Sequence, residues 1–228
     1  MKRSGNKWRL FKFFLVTALA GLAFSCIDSD ILNISDSLEI KSSYSIPVGP
    51  VEFNINGYFE SLDTVMFPWP DTISYNGVLY PNVATAVVYT SVNPFTFDFV
   101  SEPEVKVKSI EFILIISNGY PTAVSAQVYF LANGAQAPVD SILAAGPLHV
   151  EPAPLDAEGV VTEPHTVVVT VPMPTGFIQG MQEISGIVVK SRVETERSDI
   201  AIVKFYDTYG VKIHVAARIA IQYNTGDL

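Results

Sequence analysis

From residue 38 onward, apolar and polar positions alternate with a period of two. That is the mark of half-buried strands, whose side chains point to opposite faces in turn. The clearest run is Val211 to Tyr223. Val211, Ile213, Val215, Ala217, Ile219, Ile221 and Tyr223 fall on one face, and Lys212, His214, Arg218 and Gln222 on the other. Lys106 to Ile116 predicts a second long strand, apolar on both faces from Ile110 onward and therefore central in a sheet. Asn118-Gly119-Tyr120-Pro121 ends it with turn chemistry, and Ala123 to Leu131 is the expected partner strand. Ile73-Ser74-Tyr75 and Val78-Leu79-Tyr80 flank Asn76-Gly77, a pair suited to the left-handed backbone of a tight hairpin. Further strands are predicted at Ser45–Phe53, Thr85–Ser91, Thr166–Val171 and Ile184–Val193. Ile200 to Tyr206, followed by Asp207-Thr208-Tyr209-Gly210, predicts a hairpin with the last strand.

Helix signals are few. Thr175 to Ile184, between Pro174 and Gly186, is the best candidate; Gly57–Leu62 and Asp140–Ala145 each suit a single turn. Most of the 15 prolines fall between strands. Gly146 to Pro164 forms a long Pro-rich connection with a short strand expected at Leu148–Glu151. Many short strands separated by turns predict an all-β fold, an antiparallel β-sandwich of immunoglobulin-like general architecture with one or two short helices. Residues 38–100 form an N-terminal β region, either a small lobe or part of the sandwich, and residues 101–228 form the main sandwich.

The first 25 residues do not belong to this pattern. Lys2, Arg3, Lys7, Arg9 and Lys12 form a basic head, and Phe13 to Phe24 is an apolar run too short to span a bilayer. The run ends Ala23-Phe24-Ser25-Cys26, which resembles a bacterial lipobox of the relaxed kind seen in Bacteroidota; Phe24 departs from the strict form, where a small residue is usual. This implies a lipoprotein signal peptide over residues 1–25 and lipid attachment at Cys26, the one cysteine of the chain. Residues 26–37 then read as an acidic tether. Asp28, Asp30 and Asp36 resemble the export signal that carries some Bacteroidota lipoproteins to the cell surface. The expected location is the outer membrane, lipid-anchored, with the cell surface favoured over the periplasmic face.

Processing at Cys26 would leave 9 basic and 23 acidic residues, a net charge of −14. Eleven of those acids and a single base, Lys41, lie within residues 26–105. This balance argues against a nucleic-acid partner, which needs a basic face. It leaves the membrane, through the lipid, and an envelope protein or glycan as expected partners.

Beyond the anchor, the order of elements is itself recognisable. A Pro-containing strand precedes a helical turn and the Asn76-Gly77 hairpin. The long strand ending Asn118-Gly119-Tyr120-Pro121 follows, then Asp140-Ser141-Ile142, a helix-then-strand piece and the final strand. This order resembles a family of Bacteroidota outer-membrane lipoproteins with a β-sandwich. It is more distantly similar to the water-stress and late-embryogenesis β-sandwich domain, which usually carries Asn-Pro-Asn where this chain has Asn118-Gly119-Tyr120-Pro121. Neither resemblance implies a catalytic residue.

Few residues suggest chemistry. The three histidines, His149, His165 and His214, have no Gly-x-Ser-x-Gly nucleophile elbow to serve. Glu194 and Glu196 share a strand face but sit beside Arg192 and Arg197, which predicts ion pairing rather than a glycosidase pair. Asp28 and Asp30 lack the glycine and terminal glutamate of a calcium loop, and no zinc spacing occurs. No catalytic residue, metal or cofactor is expected, and the chain reads as a non-enzyme. Asp36-Ser37-Leu38, Asp63-Thr64-Val65, Asp71-Thr72-Ile73 and Asp140-Ser141-Ile142 repeat one triplet. It resembles the O-glycosylation acceptor pattern of Bacteroidota, at Ser37, Thr64, Thr72 and Ser141; Asp-Ser and Asp-Thr also start turns by bonding local backbone. Trp69, in Phe67-Pro68-Trp69-Pro70, together with Tyr75 and Tyr80, could form an aromatic platform for sugars, or could pack in the core. The expected role is that of a non-catalytic structural or partner-binding envelope protein. The alternatives are a surface glycan-binding accessory protein and an adhesin or fimbrial-type subunit.

Overall fold

The alternation over Val211–Tyr223 is realised in β12, whose apolar positions from Val211 to Ile221 are buried while Lys212, His214 and Arg218 face solvent. The computed structural model describes residues 41–97, 105–135 and 137–223. Ile40–Gln222 form one compact unit. Cys26, Ser37 and the whole of the expected signal peptide and tether lie outside the described residues.

Two sheets make an all-β sandwich. The first has the strand order β1 (Lys41–Phe53), β12, β5 (Val105–Asn118), β9 (His165–Pro172). β5 lies inside this sheet, as its apolar run predicts, and β1 and β9 are its edges. The edge position of β1 accommodates Pro47 and Pro50, which cannot donate to a ladder. A register shift between Pro47 and Gly49 bulges the strand, with Gly49 at φ 130°. The second sheet has the order β4 (Ala86–Pro94), β10 (Ile184–Glu194), β6 (Val124–Ala132), β7 (Asp140–Ser141), with β8 (Leu148–Val150) also pairing β6. Residues 38–100 thus contribute β1 to one large sheet and β4 to the other.

The inner faces meet through Ile110, Phe112, Leu114 and Ile116 of β5 and Val124, Ala126, Val128 and Phe130 of β6, all buried. The Phe112 and Phe130 rings lie 5.3 Å apart. Helix α2 (Thr175–Gly180), continued by a 3-10 turn over Met181–Glu183, lays Phe177 on Phe130 at 4.5 Å and on Phe112 at 6.3 Å. Helix α1 (Asn56–Glu60) is the single turn expected near Gly57.

A third, small sheet has the order β11 (Val203–Phe205), β2 (Thr72–Tyr75), β3 (Val78–Pro81). Its hairpin turns at Asn76 (φ 48°) and Gly77 (φ 81°), the left-handed pair that Asn-Gly supplies. The strand before β12 is not its hairpin partner. β11 pairs parallel with β2, with Val203 and Phe205 both buried and Phe205 drawn against Phe59. Nor does β6 pair with β5: Asn118–Ala123 carries the chain from one sheet to the other, where β6 meets β10. Asp140–Ala145 opens with strand β7 instead of a helical turn, paired with Tyr129 and Phe130.

Candidate functional site

The crossing from β5 to β6 anchors the end of the sandwich that carries the small sheet. Asn118 is fully buried and uses its whole amide: Nδ2 donates to the carbonyls of Thr122 (2.8 Å) and Glu151 (2.9 Å), and Oδ1 accepts from the amide of Tyr120 (2.9 Å). Gly119 lies so close to Gly210 that an added Cβ would sit 2.8 Å from its carbonyl oxygen. The buried Tyr120 hydroxyl accepts from the Ile55 amide at 2.9 Å, fixing the start of α1. Burial holds the Tyr120 phenol far above its ordinary pKa.

Phe59 of α1 is the hub of the aromatic cluster. It stacks on Tyr75 at 4.3 Å and 7° and touches Tyr80 at 5.6 Å and Phe205 at 5.7 Å. Tyr75 and Tyr80 therefore give part of their surface to packing, and both are half-buried. Burial first, then the nearby Asp207 and Glu60, raises the Tyr75 pKa. Trp69 differs from both. It is 66% exposed, and with Met66 (91%) and Phe67 (74%) it makes the segment after α1 unusually apolar for a surface. That segment is held at several points. The Val65 amide donates to Leu79 O at 2.9 Å, and Asn82 N donates to Asp71 O at 2.7 Å. The Thr72 hydroxyl accepts from Trp69 N at 2.6 Å and donates to Trp69 O at 2.5 Å.

Pro70, Asp71, Thr72 and Ile73, next along the chain, form one wall of an open cleft of about 1010 Å³. The rest of the lining comes from Glu194 at the end of β10 and the residues up to Ala201, from Glu151–Pro154 after β8, and from His149 and His165. Arg197 is fixed in this lining. It makes a two-pronged pair with Asp199 (Nε to Oδ1 2.8 Å, Nη2 to Oδ2 3.1 Å), and its Nη1 donates to Pro121 O at 2.8 Å. The guanidinium holds the Asp199 carboxyl below its usual pKa. Ion pairing was expected around Glu194 and Glu196, but its partition differs. Arg192 approaches Glu194 at 3.9 Å, whereas Arg197 turns to Asp199, two residues on, because Pro121 O fixes its far nitrogen.

His149 and Glu151 are 3.7 Å apart at the surface, and His214 is exposed on β12. Among the described residues no three His, Cys, Asp or Glu side chains converge as a metal would require, and no helix is long and apolar enough to cross a membrane.

Of the triplet hydroxyls, Thr64 is exposed and Ser141 partly so. Thr72 is 4% exposed with its hydroxyl spent on Trp69, so the folded chain does not offer it to a modifying enzyme. In the fourth triplet Asp140 Oδ1 accepts from the Ser141 amide at 2.7 Å, the local bonding that such sequences favour. The cleft itself was not anticipated. Its walls come from three distant stretches of chain, and the one sequence signal nearby was the long Pro-rich connection from Gly146 to Pro164.

These features define an all-β sandwich with an added three-stranded sheet and a polar cleft beside an exposed aromatic segment. No family model matches the sequence, and no curated protein matches it. Among solved structures it is similar to that of the infectious bursal disease virus Gx strain, with TM-score 0.35 and 13% identity over 83% of this chain. A second is the enzymatically active domain of the bacteriophage CBA120 tailspike protein 4, with TM-score 0.30 and 14% identity over 82% of this chain. The chain spans 35% of the first and 20% of the second. At these values neither fold nor function carries over to this chain.

Proposed function

We propose that this is a lipid-anchored, non-catalytic protein of the outer membrane, held through Cys26, that binds an envelope partner or glycan at the end of the sandwich bearing the small sheet. The observation that carries the binding half is the exposure of Met66, Phe67 and Trp69 on one pinned segment. Water-exposed apolar side chains cost free energy in the free protein, and a partner that covers them recovers it. The anchor is supported by the basic head, the short apolar run and the position of the lone cysteine. Several acyl chains, at about 0.8 kcal/mol per buried methylene, would hold the chain on a bilayer. The family resemblance to Bacteroidota lipoproteins agrees with this reading. Growth with labelled palmitate tests it: the native chain should incorporate the label and Cys26→Ala should not, and a native chain without label would overturn the anchor.

A second reading, as an adhesin or fimbrial-type subunit, has one observation in its favour. Edge strand β9 carries no Asp, Glu, Lys or Arg from His165 to Pro172 and leaves Val168 60% exposed, so it could accept a donated strand. Purified protein that remains monomeric at high concentration, with no strand-exchanged species, would exclude self-donation.

A further inference from the structure

We propose that the cleft beside Trp69 is a binding site for a neutral oligosaccharide. This rests on reading the chain as a binding protein and names the ligand class of that same surface.

Three observations support it. First, Trp69 is presented rather than merely exposed. Pro68 and Pro70 restrict the backbone on either side, and the Thr72 hydroxyl grips both the amide and the carbonyl of Trp69. An indole displayed from a fixed turn loses little entropy on binding. Its negative face suits the weakly positive C–H faces of a pyranose ring. Second, the adjoining cleft is large and open, and its walls offer hydrogen-bonding groups: Asp71, Asn82, His149, Glu151 and Glu196. Third, the charge selects among ligands. Five carboxylates line the cleft against one arginine, and that arginine is already occupied by Asp199 and Pro121. Sulfated, phosphorylated or uronate-rich chains and anionic lipid headgroups would be repelled. An uncharged polyol, which donates hydrogen bonds to carboxylates and stacks on indole, meets both features.

The chain has two tryptophans, Trp8 and Trp69. In the full chain carrying Trp8→Phe, tryptophan emission therefore reports on Trp69 alone. The titrants are neutral hexasaccharides of α-linked glucose, β-linked glucose, xylose, mannose and N-acetylglucosamine, with a heparin hexasaccharide and hexalysine as charged probes. At least one neutral sugar should shift the emission to the blue with a Kd at or below about 1 mM, and heparin should leave it unchanged. By calorimetry, Trp69→Ala should weaken that sugar about tenfold, while Trp69→Tyr retains most of the affinity. The proposal is overturned if no neutral sugar shifts the emission at about 10 mM. It is also overturned if hexalysine or heparin is the probe that binds, or if Trp69→Ala binds as tightly as the parent. All of this is read on purified protein, so its failure is distinct from failure of the anchor, which membrane fractionation reads.

Discussion

Replacing Asn118 with Ala should destabilise the fold far more than the loss of one polar side chain usually does. The amide of Asn118 bonds three backbone groups: the carbonyls of Thr122 and Glu151 and the amide of Tyr120. Thr122 and Tyr120 are fully buried, so water cannot easily replace what the variant removes, whereas Glu151 is at the surface and its carbonyl can be rehydrated. A buried group left without a partner costs about 1–3 kcal/mol. Two such groups, with some local relaxation, give a loss of about 3 kcal/mol. For a domain of this size that corresponds to a drop in Tm of roughly 10 °C. Asn118→Asp should be at least as damaging, because it keeps the acceptor but sets a buried carboxylate against two carbonyls. The assay is urea unfolding followed by circular dichroism, with Asn133→Ala, an exposed loop position, as the control expected within about 0.5 kcal/mol of the parent. A loss below about 1 kcal/mol for Asn118→Ala would refute the reasoning, since it would mean that the crossing between the sheets does not depend on this amide.

Three further outcomes follow from the same region. Tyr120→Phe leaves the Ile55 amide without its acceptor and should cost about 1–2 kcal/mol at neutral pH, measured by the same unfolding. Burial raises the Tyr120 pKa above its unfolded value of 10.0, so its contribution is complete below pH 10 and is lost as pH rises beyond that; the variant should show a flatter fall in stability above pH 10. Thr72→Val removes both bonds to the Trp69 backbone, and should cost about 1 kcal/mol and weaken sugar binding several-fold; unchanged affinity would show that the clamp does not position the ring.

Strand identity was legible in the sequence where burial is one-sided or complete. β12 sorts its residues by face, β5 is continuously apolar, and Asn76-Gly77 announces its own turn geometry. Strand partnership was not legible, because alternation states which face is buried and not against what. β11 has only three residues, and Phe205 joins Phe59 and Tyr120 rather than extending a hairpin to β12. The turn chemistry at Asn118-Gly119-Tyr120-Pro121 was recognisable, yet the same residues serve a crossing between sheets as readily as a hairpin. At the candidate site, the prolines on either side of Trp69 suit the exposed loop in which it lies. The packing of Tyr75 and Tyr80 on Phe59 depends on α1, whose position sequence pattern does not give. The cleft walls are joined by long-range contacts, such as Arg197 to Pro121, that leave no local pattern at all.

Thiol counting tests whether the chain is fixed to the envelope at Cys26 with the Met66–Trp69 segment turned outward. Cys26 is the one cysteine, and Met66 is 91% exposed. Intact cells producing the native chain or Met66→Cys are treated with a membrane-impermeant maleimide, and a second sample is labelled after denaturation in detergent. The native chain should take no label in either sample, because an acylated Cys26 has no free thiol, and Met66→Cys should take one label in intact cells. A label on the denatured native chain would contradict the anchor, and a Met66→Cys thiol that reacts only after lysis would contradict its display on the cell surface.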